Sequence, residues 1–152
     1  MDYTQTVQDV LADFGKNIGL ESLQLGEEGY CRMQVDDSLE INFELDSKNG
    51  LLLFLTPIAK ANPKLYADCL ELNMLFRELR GARFILIREA NLIALMKAVE
   101  VDQLTLSVFE VQLEEFIQVA QNWIDAFSES PEATKENEEK PAITHTHLTN
   151  RA

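Results

Sequence analysis

The residues that could do chemistry in this chain are few and badly matched to one another. Glu27-Glu28 and Asp36-Asp37 are adjacent carboxylates, the raw material of an acid–base pair. Neighbouring residues on a turn point apart, however, and both pairs read as solvated turn residues. His145 and His147 could reach one metal ion together, but no third ligand follows at a fixed spacing. Cys31 and Cys69 are the only cysteines, and both fall in predicted elements among apolar neighbours. With no CxxC pattern beside them, they read as buried reduced thiols rather than a disulfide or a nucleophile. No phosphate loop, GxSxG or HExxH occurs. The sequence therefore offers no catalytic residue, no metal site and no cofactor, and an enzyme is not expected. Met33, Met74 and Met96 raise a different question, since Met is adaptable and favoured at surfaces that accept several partners. Spread singly over three predicted elements, they read as core.

Composition narrows the partners. A chain of 152 residues with 46% apolar residues is one domain with a real core, and its formal net charge is −13. That charge argues against nucleic acid and against an anionic membrane, both of which are bound through Lys/Arg clusters. No apolar run approaches the roughly eighteen residues of a membrane span. The opening MDYTQTVQDV lacks the basic start and apolar run of a signal peptide, so a cytoplasmic protein is expected.

The elements follow from periodicity. Asp2 can cap a first helix, with Gln5 in the return position of a capping box. Tyr3, Val7, Val10, Leu11, Phe14 and Ile18 form its apolar stripe, and Gly19 ends it. Leu23 and Leu25 alternate before a turn at Gly26-Glu27-Glu28-Gly29, and Tyr30 to Val35 is a strand. Leu39 to Asp46 alternates strictly, with Leu39, Ile41, Phe43 and Leu45 on a buried face. Glu40, Asn42, Glu44 and Asp46 would form a wet face. Asn49-Gly50 signals a hairpin into Leu51–Thr56, apolar on both faces and ended by Pro57. Asn62-Pro63 opens a second helix expected to run to about Arg80, with Gly81 closing it. Its apolar residues cover more than half its circumference, so it should be buried on more than one side. A third helix starts with Ser107 and Glu110 as a capping box and carries Phe109, Leu113, Phe116, Ile117, Ala120, Ile124 and Phe127. Residues 1–127 form the expected domain. Residues 128–152, rich in Glu, Pro, Thr and Asn, cannot bury enough to offset their ordering entropy and are expected to be a disordered acidic and polar tail.

The stretch from Ala82 to Glu100 organises the rest. It reads as a hairpin around Ala90-Asn91, with Ile87 opposite Ala94, Leu86 opposite Leu95 and Ile85 opposite Met96. One face carries Phe84, Leu86, Ile93 and Leu95, and the other Ile85, Ile87, Leu92, Ala94, Met96 and Ala98. Each large aliphatic left in water would forgo roughly 1.5–3 kcal/mol of burial. One face must cover the chain's own core, and a second copy of the chain is the simplest cover for the other. Leu72, Phe76, Ile85, Ile87, Leu92, Ala94 and Met96 are the expected dimer interface.

The order of elements and several local strings resemble the Tir chaperone (CesT) family of type III secretion. The strings are Leu11 and Phe14 with Ile18-Gly19-Leu20, Leu23 and Glu27-Glu28-Gly29, then Leu70, Leu72 and Asn73, then Leu104, Leu106 and Phe109 to Trp123. Ile18 to Leu23, Gln103 to Leu106 and Phe109-Glu110 are most similar to ExsC-type regulatory chaperones. The resemblance spans roughly residues 3–127. It implies an α+β fold, α-β-β-β-α-β-β-α, with helices packed on a twisted antiparallel sheet, and a homodimer through the second helix and the late hairpin. It also implies an ATP-independent chaperone that holds the N-terminal segment of a secreted effector in extended form. The alternatives are a regulator switching between a small secreted protein and an anti-activator of transcription, and a structural dimer of the secretion apparatus. An extended partner gains affinity from strand addition and from apolar anchors. Leu11, Phe14, Leu23, Leu25, Met33 and Phe43 are the expected partner groove, where the first helix crosses the sheet margin. Leu23, Leu25 and Met33 are placed on short strands flanked by turns.

Overall fold

The computed structural model describes residues 2–128. Helix α1 (Tyr3–Ile18) is followed by strands β1 (Tyr30–Gln34), β2 (Glu40–Asp46) and β3 (Leu51–Lys60), then helix α2 (Pro63–Leu72). Strands β4 (Arg83–Ile87) and β5 (Leu92–Glu100), a single 3-10 turn at Val101–Gln103 and helix α3 (Leu106–Ser128) complete the chain. The strands form one antiparallel five-stranded sheet in the order β1-β2-β3-β5-β4. This is the α+β arrangement expected from the sequence. The tail expected beyond the domain lies, apart from Ser128, outside the described residues.

Local chemistry explains most of the boundaries. Asp2 caps α1 by accepting a hydrogen bond from the Gln5 main-chain N–H at 3.1 Å. The Gln5 carboxamide does not close a capping box; it donates to Asp9 instead, at 2.8 Å. Gly19 ends the helix in the left-handed region, φ 79°. Helix α3 is capped by Thr105, whose hydroxyl accepts from the Val108 N–H at 3.1 Å, and not by Ser107 as the sequence pattern predicts. Gly50 is required twice over. Its φ is 68°, and a Cβ there would meet the Tyr3 ring at 2.7 Å. The start of α1 is thus seated on the β2–β3 turn.

Helices α1 and α3 cover one face of the sheet. Their residues Val7, Val10, Leu11, Phe109, Leu113 and Phe116 bury against Ile41, Phe43, Leu52, Phe54, Phe84 and Leu95. Phe43, Phe54 and Phe109 meet with ring centroids 5.3–5.7 Å apart, an edge-and-tilt cluster at the centre of the core. The face division predicted for the late hairpin holds. Phe84, Ile93 and Leu95 join this core, while Ile87, Leu92 and Ala94 join a second cluster with Leu53 and Leu55 of β3.

Four expectations need correction. The hairpin register is Ile87 opposite Leu92, Leu86 opposite Ile93 and Ile85 opposite Ala94, two residues from the predicted pairing. The connection is a longer turn in which Asn91 adopts φ 55°, and a shift of two leaves every side chain on its face. Strand β3 does not stop at Pro57 but continues to Lys60 through a register irregularity between Pro57 and Ala59. Its pairing with β2 begins at Leu55, so Pro57 lacks an N–H where β2 no longer asks for one. Helix α2 ends at Leu72 rather than near Arg80. A run of turns follows, closed by Arg80 and Gly81 in the left-handed region, φ 53° and 82°. Finally, the polar face of β2 is not wet. Asn42, Glu44 and Asp46 are buried. Arg32 bridges Glu40 (3.2 Å) and Asn42 (3.4 Å), and the Asp46 carboxylate accepts two bonds from Asn49 across the turn. Arg32 and Asn49 thus stand in for water on this face, while the Asn42 carboxamide nitrogen is buried without a hydrogen-bond partner.

Candidate functional site

Among the described residues, none of the reactive groups assembles into a catalytic arrangement. The Asp36 carboxylate is engaged in its own turn, accepting from the Ser38 N–H and hydroxyl (both 2.7 Å) and from the Leu39 N–H. Cys31 and Cys69 are free and buried, and burial pushes both thiols up to about 11, with Asp68 adding to the effect at Cys69. Protonated thiols of this kind are poor nucleophiles near neutral pH. Among the described residues no group of three or more His, Cys, Asp or Glu is placed to hold a metal ion. His145 and His147 lie outside the described residues.

The two ends of the sheet carry the surfaces of interest. At one end, β1 is an edge strand paired with β2. The residues expected to form a partner groove gather here. Leu11, Leu23, Leu25, Met33 and Phe43 are all buried in the main core, and Phe14 is partly buried against it. Leu23 and Leu25 are not on a strand, as predicted, but in the loop between α1 and β1. Gln8 holds that loop. Its carboxamide accepts from the Leu25 N–H (2.9 Å) and donates to the Leu25 carbonyl (3.0 Å). Exposed apolar surface at the end of α1 belongs to other residues. Ile18, one helical turn beyond Phe14, is 47% exposed, and Leu20 is 40% exposed. Phe14 also walls a cleft of about 420 Å³ against Leu113 and Ile117 of α3, rimmed by Glu110 and Glu114.

At the other end, α2 lies beside the edge strand β4. Leu65 and Cys69 of α2 are buried, and Leu72 packs partly into the same core. Leu70, Met74 and Phe76 stand 72%, 82% and 73% exposed. Met74 is therefore not the core residue that its isolated position in the sequence implied, whereas Met33 is buried and Met96 half-buried. A cleft of about 210 Å³ beside Leu70 is lined by Tyr66, Cys69, Ile85, Leu86 and Ile93. Of the expected interface residues, Phe76 is open and Ile85 and Met96 are half-buried. Ile87, Leu92 and Ala94 are already covered within one chain by the cluster with Leu53 and Leu55. Asn73 closes part of this edge. Its carboxamide accepts from the Phe84 N–H (2.7 Å) and donates to the Phe84 carbonyl (3.1 Å), on the side of β4 away from β5.

The model of the Tir chaperone protein (CesT) family matches residues 9–124, from α1 to the last turns of α3. The chain belongs to that family. It is a family of chaperones, which is not an enzyme class. No curated protein matches the chain. Among solved structures, the ExsC–ExsE complex superposes with a TM-score of 0.74 at 25% identity, covering 82% of this chain and 96% of that one. The HopA1–SchA chaperone–effector complex gives 0.70 at 15% identity, with 80% and 95% covered. The Yersinia pestis type III secretion chaperone SycH, solved with a stable fragment of YscM2, gives 0.59 at 16% identity, with 76% and 98% covered. No helix among the described residues of this CesT-family chain is long and apolar enough to cross a membrane.

Gln8 was not singled out in the sequence, and Asn73, Leu70 and Leu20 entered only in the strings of the family resemblance, with no role attached. Gln8 and Asn73 act on main chain 17 and 11 residues away, which no local pattern reveals. Leu70 and Leu20 stand beside apolar stripes and look like continuations of them.

Proposed function

We infer that this chain is a type III secretion chaperone that binds the N-terminal segment of a secreted effector in extended form and keeps it export-competent without ATP. The observation that carries the reading is family membership across nearly the whole described fold, joined to a sheet that ends in the edge strand β1 and to aliphatics left exposed at the end of α1. An extended client could add to the β1 edge and drop apolar side chains beside Phe14, Ile18 and Leu20. Leu11, Leu23, Leu25, Met33 and Phe43 would then form the floor beneath those anchors rather than the contact itself. The chaperone acts in the bacterial cytoplasm as a homodimer, joined through α2 and the late hairpin. Leu70, Met74 and Phe76 supply the apolar surface for that contact.

The test is co-purification of tagged full-length chain from its own cytosol, with captured proteins identified by mass spectrometry. A protein whose export depends on the type III apparatus is expected. Ile18→Glu with Leu20→Glu should lose it while the melting temperature holds, because both side chains are exposed. Capture undiminished in that variant would place the groove elsewhere. A second reading, a regulatory chaperone switching between a secreted partner and an anti-activator, is favoured by one observation. The ExsC fold superposes better, and at higher identity, than the other two solved chaperone complexes described above. Capture of a transcriptional anti-activator in place of an effector would select it.

A further inference from the structure

We propose that the cleft between α2 and the last turns of α3 recognises an arginine side chain carried by a segment of a partner protein. The cleft holds about 350 Å³, and its walls include Leu65 and Leu72, Trp123 and Phe127, with Asp68 and Glu71 at its mouth. Those features make a set. Asp68 and Glu71 stand three residues apart on α2 and so share one side of the helix. Neither has a cation in ion-pair range among the described residues, whereas Glu115 takes both Arg80 and Lys97 and Glu40 takes Arg32. Their charge is not spent among the described residues. The aromatic wall is fixed in orientation: Phe84 stands edge-on to Trp123 with centroids 5.6 Å apart at 87°, and Phe127 leans against it at 6.2 Å.

An indole face attracts a cation through its ring quadrupole, best when the cation is partly desolvated. A guanidinium also stacks flat on such a ring while its edge donates to carboxylates, a combination that an ammonium does not match. The aliphatic stem of the same side chain can lie along Leu65 and Leu72. Nucleic acid and anionic lipid are repelled by the two carboxylates and by the chain's net charge of −13, which instead steers basic segments toward it. The cleft is built from α2 and α3, so the proposal stands independently of the client margin at α1 and β1.

Trp123 is the only tryptophan, so its emission in the full-length chain reports this cleft directly. The probe is the blocked peptide Gly-Leu-Arg-Leu-Gly, titrated at low ionic strength beside the same peptide with Glu in place of Arg. A saturable change in emission is expected with the Arg peptide and not with the Glu peptide. Asp68→Asn with Glu71→Gln should weaken the response about fivefold or more at an unchanged melting temperature. No saturable change, an equal response to the Glu peptide, or an unaltered affinity in the double variant overturns the proposal. The chain's own Lys135, Lys140 and Arg151 are the rival occupants. A response that emerges only after all three are replaced by Gln would assign the cleft to the tail and overturn the partner.

Discussion

Two carboxamides do the work of missing strands. Gln8 offers Leu25 one donor and one acceptor, and Asn73 does the same for Phe84, so that each main-chain N–H and C=O is satisfied. Removing such a partner leaves groups that must find water or go unbonded, at a cost of about 1–3 kcal/mol. Gln8→Ala should therefore lower stability by about that amount and speed hydrogen exchange at Leu25, with Gln8→Glu falling between because it keeps the acceptor alone. An unchanged melt together with unchanged exchange would show that the loop between α1 and β1 holds itself. Neither role was legible in the sequence. Gln8 sits on the polar side of α1 among Gln5, Asp9 and Asp13, and nothing local separates it from them. The apolar stripe beside it was plain, because burial repeats with the helix and needs no knowledge of the partner.

At the scale of elements, what could be read was what has a period. The faces of β4 and β5 were assigned correctly although their register was two residues out, since alternation survives an even shift. The length of α2 was overestimated because its apolar residues continue past Leu72 while its geometry does not. Beyond or beside that end stand the three most exposed large apolar residues of the described chain, Leu70, Met74 and Phe76, of which only Phe76 was expected at an interface. If these cover one another across a twofold axis, Met74→Glu with Phe76→Glu should give a folded monomer in sedimentation, with a melting temperature lowered by the lost association. A double variant that still sediments as the dimer would move the interface off α2. A charge placed at Ile87 would not answer this question, because Ile87 is buried within one chain and a carboxylate there would unfold it.

For the molecule as a whole, the order of elements was legible and the wetness of its surfaces was not. Alternation in β2 separates polar from apolar side chains, but only the fold decides whether the polar ones meet water, Arg32 or Asn49. The same holds for the second face of the hairpin, where β3 covers much of what one chain was expected to leave open. The sheet order puts β1 and β4 at opposite ends, which sets the proposed client margin apart from the proposed dimer contact. A dimer joined beside β4 would carry its two β1 margins outermost, one at each end, where a long extended client could reach both.

Asn73 has a bearing on crowding during synthesis. A sheet that ends in a bare strand can template the edge of any neighbour, and a chain made in quantity next to its own copies risks stacking laterally without limit. By occupying Phe84 from the outside, Asn73 shortens the free stretch of β4 to Leu86 and beyond, too little for a long strand to dock on. The expected stopper of such growth is a side chain rather than a proline or a lysine. Asn73→Leu keeps the volume and removes the stopper, and it should raise light scattering steeply with concentration before any loss of helix signal. A variant that stayed dispersed at every concentration would show that the sheet's end is guarded by something else.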